Sequence, residues 1–379
     1  MRILFITHYD NMYGANRALY KLIVALKTEY NEEPMLVIPS EGEMTKAMEE
    51  IGVPYFVSPV TQWQGVFAEP LSFLRKKIKR KKQVLAEVET LYDLFKSQNI
   101  DVIHSNSSVI GCGALLADKL GCRHIWHIRE FAKEHFRMKY YFPADVVRKC
   151  YENADCLIAI SNSLAENYRK KYPRAKITRI YDGVSAENCK PEKTNKGKTK
   201  FCCVGYLFPM KKQLELVEAF KAVRDKGYSD FEVYFVGDGK KNYAEKLKRF
   251  VKRYGLEQIK FLGYRQDVSD ILQQMDVGLI ASRYEGFGLV TVEYMLHSLP
   301  VIGFNGGGTA EIIEHEKTGY LYHDRKELAE AVIDLMKDAE LRRNMGDAGR
   351  LRAQTFFTAE RNASELKRLY EKIRKDNAK

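Results

Sequence analysis

The sequence predicts an α/β protein built as two parallel-sheet domains facing across a cleft. Three observations carry that prediction. The chain has 379 residues, more than one hydrophobic core usually supports. At 45% hydrophobic and 30% charged it holds enough apolar material for two cores. Strand-like and helix-like segments alternate nearly throughout, the pattern of parallel sheets covered by helices.

The elements follow in order. Met1-Arg-Ile-Leu-Phe-Ile-Thr is too short for a secretory apolar region and reads as a first strand. A loop at Asp10–Tyr13 precedes a helix from Ala15 to Thr28, and Glu33 to Pro39 reads as the next strand. Asp101-Val-Ile-His, Cys122-Arg-His-Ile-Trp-His, Cys156-Leu-Ile-Ala-Ile and Lys176-Ile-Thr-Arg-Ile continue the series. A polar, charged stretch over 187–200 marks an interdomain linker, so the first domain is expected over 1–186. Alternation resumes with Phe201-Cys-Cys-Val-Gly, Phe231–Gly237, Ile259–Gly263, Val277–Ala281 and Val301-Ile-Gly-Phe, giving a second domain over 201–357. Helices close the chain from about Arg325, the last of them over 358–379.

Ligands of open parallel sheets sit outside the carboxyl ends of the strands. The richest such place is Glu285-Gly-Phe-Gly-Leu-Val-Thr-Val-Glu293, which joins a strand to a helix. Glycines before a helix N-terminus expose backbone N–H groups and the positive end of the helix dipole, a phosphate site. Two carboxylates beside such a site, Glu285 and Glu293, suit hydroxyl donors. Phosphate and hydroxyls together indicate a nucleotide sugar. Gly286, Phe287, Gly288 and Leu289 lie between the two acids.

Other strand ends carry further candidates. Gly14, in Tyr13-Gly-Ala-Asn-Arg, is either a close backbone approach to a ligand or an ordinary turn. His127 and Arg129 share one side of a strand end by the period-two rule, and suit hydroxyls and phosphate; a structural histidine is the alternative. Lys211 follows the first strand of the second half, where an ammonium reaches a diphosphate; a solvated loop lysine is the alternative. Val236-Gly-Asp-Gly239 and Phe261-Leu-Gly-Tyr264 either line a base pocket or only turn the chain. Three glycines in Asn305-Gly-Gly-Gly-Thr-Ala-Glu311 offer another anion or sugar contact, because their ordering entropy makes them a poor choice for stability alone.

The net charge of +12 implies an anionic partner. Arg75, Lys76, Lys77, Lys79, Arg80, Lys81 and Lys82 fill seven of eight positions, beside Leu71, Phe73, Leu74 and Ile78. That composition suits an anionic membrane surface, with a solvated helix face as the alternative; no RNA-binding motif accompanies it, so no nucleic-acid partner is expected. Seven cysteines without framework spacing fit a reducing cytoplasm, and Cys202-Cys203 reads as core packing. No apolar run reaches membrane-span length. Neither Asp-x-Asp nor His-x-x-x-His occurs, so no metal site and no cofactor are expected.

From Gly205 to Leu321 the order and spacing of Asp276–Ser282, Glu285-Gly-Phe-Gly-Leu, Glu293, Pro300-Val-Ile-Gly, Gly307–Ile313 and Thr318-Gly-Tyr-Leu resemble the family-4 retaining glycosyltransferases of the GT-B fold. The similarity extends over nearly the whole chain. It implies two Rossmann-like domains and transfer of a sugar, with retention and without metal, from a nucleotide-diphosphate sugar to a glycan or lipid-linked acceptor hydroxyl. The basic run suggests a membrane-linked acceptor, as in bacterial cell-surface polysaccharide or glycolipid assembly, at the inner face of the cell membrane. By position, Glu285 would contact the donor sugar. The backbone of Phe287, Gly288 and Leu289 would contact sugar and phosphate. Glu293 would hold the ribose, Lys211 the diphosphate, and Gly14 would admit the donor, while His127 matches a histidine near the transferred sugar. Tyr206 stands where the family often has arginine, which leaves Lys211 or Arg129 to supply charge, and Asn16 replaces a frequent glutamate. A non-catalytic subunit of the same fold, or a phosphorylase or epimerase, are the alternatives.

Overall fold

The computed structural model describes residues 1–66, 70–185 and 197–375. The chain forms two compact units. Unit 1 holds Met1–Gly183 together with the chain from Ala359 onward; unit 2 holds Val184–Thr358.

In unit 1 the elements run β1 (Arg2–Ile6), α1 (Gly14–Thr28), β2 (Glu33–Ile38), α2 (Glu43–Glu50), β3 (Tyr55–Val57), β4 (Gln64–Val66), α3 (Pro70–Phe95) and β5 (Val102–Ser105). Then come α4 (Cys112–Leu120), β6 (Arg123–Ile128), α5 (Ala132–Phe136), β7 (Met138–Tyr140), α6 (Ala144–Asn153), β8 (Cys156–Ala159), α7 (Asn162–Lys171) and β9 (Ile177–Arg179). Seven of the strands make one parallel sheet in the order β3-β2-β1-β5-β6-β8-β9, while β4 and β7 pair antiparallel apart from it. Ile3, Leu4, Phe5 and Ile6 are all buried, as expected of a strand covered on both faces rather than an alternating one.

Unit 2 runs β10 (Thr199–Val204), a 3-10 turn (Pro209–Lys211), α8 (Gln213–Asp225), β11 (Phe231–Val236), α9 (Lys241–Arg253), β12 (Ile259–Gly263), α10 (Val268–Gln273) and β13 (Val277–Ile280). It continues through α11 (Leu289–Leu296), β14 (Val301–Phe304), α12 (Thr309–Ile312), β15 (Gly319–Tyr322), α13 (Arg325–Lys337) and α14 (Ala339–Phe356). Its six strands are parallel, ordered β12-β11-β10-β13-β14-β15. Cys202 and Cys203 are core residues of β10, and burial pushes the Cys203 thiol up to about 12, so neither is a ready nucleophile.

The last helix, α15 (Ala359–Lys375), belongs to unit 1. Leu366, Tyr370 and Ile373, at helical spacing, join the core that includes Leu19, Leu22, Ile23 and Leu26 of α1. Each such buried side chain contributes roughly 1.5–3 kcal/mol, enough to hold the helix on this unit. Asn362 donates to the Tyr181 carbonyl at 2.5 Å, and Lys367 pairs with Glu32.

The domain limits differ in detail from those expected. Most of the expected linker, its residues 187–196, lies outside the described residues. Its last two residues are not linker: Thr199 and Lys200 pair with Phe231 and Glu232 in the sheet. Unit 2 begins by contact at Val184, whose N–H donates to the Phe357 carbonyl. A polar composition hid both facts, because an edge of strand and a paired turn need no apolar side chains.

Candidate functional site

In a doubly wound sheet the ligand crevice opens where the strand order reverses. That point lies between β1 and β5 in unit 1 and between β10 and β13 in unit 2. Gly14, Lys211 and the loop from Glu285 to Gly288 lie at these two places, and His127 and Arg129 at the end of the adjoining strand β6.

In unit 2, Gly205 follows β10 with φ +143° and Tyr206 is exposed. The turn is held by the buried Gln213, whose amide donates to the Tyr206 carbonyl at 3.0 Å and accepts from the Phe208 N–H at 3.4 Å. The 3-10 turn then presents Lys211, and Lys212 in the left-handed region (φ +58°) starts α8. The Lys211 ammonium donates to Glu285 from the loop after β13; their side chains are 35% and 18% exposed, so the pair is reachable by solvent and ligand.

Glu285 leads into the glycine loop. Phe287 is buried and meets Phe357 edge-on, with ring centroids 5.6 Å apart. Gly288 has φ +112°, a conformation that glycine adopts without cost, and it starts α11 with no side-chain cap. The N–H groups of Leu289 and Val290, the first two of α11, are therefore left for an anion at the positive end of the dipole, while that of Thr291 donates to the Gly288 carbonyl at 2.9 Å. Glu293 follows Leu289 by one turn on the same helix face and is half-buried. Its carbonyl is held by His297 Nδ1 at 2.8 Å.

The three glycines 306–308 have a packing reason. A Cβ on Gly308 would lie 2.3 Å from the Phe287 carbonyl oxygen, and one on Gly307 would lie 2.5 Å from that of Glu285. The Gly308 N–H donates to the Glu285 carbonyl at 2.8 Å. This loop thus props the Glu285–Gly288 backbone from behind. The glycine turns after β11 and β12 join the Lys211 loop similarly. The Gly237 N–H donates to the Gly263 carbonyl at 2.7 Å, and Gly239 bridges to Leu207.

In unit 1, Gly14 is the first residue of α1. The loop before it is organised by the buried Asn16, which donates to the Tyr9 and Asn11 carbonyls at 2.9 and 2.7 Å and accepts from Thr7 Oγ1 at 2.6 Å. A neutral amide that both gives and takes hydrogen bonds suits this position; a carboxylate could not donate.

His127 lies one residue before the end of β6, almost fully buried, and Arg129 follows the strand. The Arg129 guanidinium donates to both oxygens of Asp182, at 2.8 and 2.6 Å, and to Asn106 Oδ1 at 2.8 Å. Its charge is thus already matched within unit 1. Asn106 in turn donates to the Ala15 carbonyl at 3.3 Å, linking β5's end to α1. His127 Nδ1 lies 3.2 Å from His104 Nε2. Burial, then the Arg129 charge, holds both histidines well below their usual range, so both rings are neutral. Glu130 accepts from Ser107 Oγ at 2.8 Å and the Ser108 N–H at 2.7 Å, and burial raises its pKa.

Several of these residues were not nominated from sequence: His104, Asn106, Glu130, Asp182 and Gln213. The signal was available for some of them. Ser105-Asn106-Ser107-Ser108 is a polar run directly after a buried strand, where loops carry function. Asp182 has no such mark; only folding brings it to Arg129.

The basic segment lies on the N-terminal half of α3. The helix docks through Val84, Val88, Leu91 and Phe95 in its C-terminal half. Arg75, Lys76, Lys79, Arg80, Lys81 and Lys82 are exposed and Lys77 is half-buried. Leu74 and Ile78 on the same half are 55% and 57% exposed. Leu71 is among the side chains outside the described residues. Among the described residues no helix is long and apolar enough to cross a membrane.

Comparison with known proteins agrees with this architecture. Residues 14–188 match the Glycosyltransferase Family 4 model and residues 185–352 match Glycosyl transferases group 1. An uncharacterized glycosyltransferase of Methanocaldococcus jannaschii is 30% identical over 296 residues, 74% of this chain and 78% of the relative. The N-acetyl-alpha-D-glucosaminyl L-malate synthase of Bacillus anthracis is 28% identical over 246 residues, 62% of this chain and 64% of the relative. Among solved structures, Anabaena HepE in complex with UDP superposes with a TM-score of 0.81 at 20% identity, over 98% of this chain and 100% of that one. With its two doubly wound units and both halves of the sequence matched, the chain belongs to the family-4 glycosyltransferases of the GT-B fold.

Proposed function

We propose that this glycosyltransferase moves a sugar from a nucleoside-diphosphate sugar to an acceptor hydroxyl with retention of configuration, without a metal ion, beside an anionic membrane surface. The observation that carries the donor assignment is the Lys211–Glu285 pair set beside the uncapped N-terminus of α11. A carboxylate for hydroxyls, an ammonium and free N–H groups for a diphosphate are what a sugar nucleotide requires.

In this reading unit 2 takes the donor. As the glycosidic bond breaks, negative charge grows on the diphosphate. The Lys211 ammonium and the α11 amides stabilise that charge, each well-placed donor contributing roughly 3 kcal/mol to the transition state. Glu285 orients the sugar through its hydroxyls, and Glu293 holds the ribose. Retention follows a front-face route in which the leaving phosphate accepts the acceptor proton, so no covalent nucleophile is needed. Unit 1 takes the acceptor, and His127 offers its ring to a sugar oxygen. The basic, exposed N-terminal half of α3 favours an acceptor borne on a membrane lipid.

The test is a thermal-unfolding screen of UDP-, GDP- and ADP-sugars followed by acceptor-dependent nucleotide release. A cognate donor at about 100 times its dissociation constant adds ~2.7 kcal/mol of stability. Inertness of the wild type toward all three donor classes would identify a non-catalytic subunit. Turnover that requires inorganic phosphate, or proceeds without acceptor, would identify a phosphorylase or epimerase.

A further inference from the structure

A buried chain of polar contacts in unit 1 runs from α15 to the end of β6. The Tyr370 hydroxyl lies 2.6 Å from His104 Nδ1, and His104 Nε2 lies 3.2 Å from His127 Nδ1. Tyr370, His104 and His127 are 0%, 0% and 1% exposed. At the far side of its ring, His127 Nε2 has no hydrogen-bond partner among the described residues; the Asp182 carboxylate stands 3.9 Å away, beyond reach.

The direction of these bonds follows from what each group can give. Burial holds the Tyr370 phenol well above its ordinary pKa, so it keeps its proton; His104 Nδ1 is its one hydrogen-bond partner among the described residues, so a buried hydroxyl gives its proton there. His104 then carries its single proton on Nε2 and donates to His127 Nδ1. That leaves the His127 proton on Nε2. Arg129 biases the ring the same way through a longer contact that is too weak to fix it alone. A guanidinium only donates, and its Nη2 lies 3.5 Å from His127 Nδ1, where a second proton would face a cation.

We infer that Tyr370 is a positioning residue that, through His104, fixes His127 as the Nε2–H tautomer and so presents a ready N–H donor to an oxygen of the sugar substrate. The C-terminal helix therefore does more than cover the α1 face: it supplies the group that orients a proton about two rings away. The identity of the acceptor oxygen rests on the transferase reading above; the tautomer does not. A buried N–H left without a partner is costly, so an oxygen that satisfies it gains more than one offered to solvent.

The experiment uses the full chain with ¹⁵N-labelled histidine, the His127 signals being assigned by their loss in H127Q. Nitrogen–proton correlation should show wild-type His127 protonated on Nε2 and bare on Nδ1. In Tyr370→Phe the ring should become a mixture of tautomers, and kcat for transfer should fall roughly tenfold, the scale of one neutral hydrogen bond. In the H127Q background, where an amide donor needs no tautomer, adding Y370F should change the rate less than about twofold. A wild-type His127 protonated on Nδ1, or a His127 spectrum unchanged by Y370F, overturns the inference without any variant having to be active. Effects of H127Q and Y370F that simply multiply overturn its role in the reaction. A tautomer shift in a chain that transfers no sugar would leave the relay standing and remove the transferase reading instead.

Discussion

Lys211 and Glu285 share a hydrogen-bonded ion pair although 74 positions separate them in the chain. They meet because β10 and β13 are neighbours at the strand-order reversal of unit 2, so their carboxyl-end loops face one another. Each partner holds the other in one rotamer before any ligand arrives. A pair this accessible contributes little to stability, so its value is in preorganisation.

Replacing either member should therefore impair turnover with little effect on folding. Lys211→Ala is expected to lower kcat by about two to three orders of magnitude, the scale of one lost charge-stabilising donor. Glu285→Gln keeps shape and some hydroxyl recognition, and should lose less than Glu285→Ala. Steady-state kinetics with saturating donor, beside a denaturation curve for each variant, checks this. A K211A enzyme of wild-type kcat would remove Lys211 from the leaving-group role.

The glycine loop behind Glu285 makes a structural prediction. Gly308→Ala would drive a methyl to 2.3 Å from the Phe287 carbonyl oxygen, which is backbone and cannot swing aside. A loss of about 1–3 kcal/mol is expected from overpacking, with activity impaired as the Glu285–Gly288 backbone shifts. Gly121→Ala is the contrast. Gly121 has φ +68° but open space around its Cβ position, so only about 1–2 kcal/mol of backbone strain applies, and no effect on donor binding. Urea unfolding and donor affinity of both variants separate the two cases.

Arg129 and Asp182 are 6% and 3% exposed at their side chains, and the guanidinium bonds both carboxylate oxygens. Asp182→Ala strands a buried cation and should cost about 3–5 kcal/mol. Removing both charges together, as in R129M/D182L, should cost clearly less than the sum of the single changes. Chemical denaturation of the double-mutant cycle measures the coupling; additivity would mean that water, not Asp182, compensates Arg129.

Stability should fall as the solution is acidified from pH 7 toward 5. His104, His124 and His127 are buried and His8 is half-buried, all neutral, with desolvation holding His8 down to about 4 and His124 to about 3. Below about 6.5 the unfolded chain takes up protons at these sites while the folded chain does not, so the unfolded state binds more protons and stability drops. Each histidine contributes up to ~1.4 kcal/mol per pH unit in that window. Glu130 and Glu87, both raised by burial, act in the opposite sense as two groups against four. Melting temperature against pH should therefore slope upward from 5 to 7, and a flat profile would show that these rings are solvated.

The exposed half of α3 should bind anionic vesicles. Reversing charge at Lys76, Lys77, Lys81 and Lys82 should abolish sedimentation with phosphatidylglycerol vesicles, since each basic residue near such a surface contributes ~1 kcal/mol. Vesicle binding unchanged by the four reversals would confine this patch to a solvated face.

Much of this protein was legible from sequence because local rules govern it. Buried parallel strands are continuous apolar runs, and glycine before an apolar helix marks a strand–helix loop, so the two sheets and the loop from Glu285 to Glu293 stand out before folding. The basic run at 75–82 is likewise visible, since charge needs no context. What tertiary structure alone decided is which side chains meet: Lys211 with Glu285, Arg129 with Asp182, and Tyr370 with His104 across 266 positions. It also showed that Gly307 and Gly308, nominated from sequence as an anion or sugar contact, pack against the backbone of Glu285 and Phe287. The physical reason is that propensity and hydrophobic period act over a few residues. Pairing of buried polar groups depends on strand order, which brings distant loops together only once the sheet has formed.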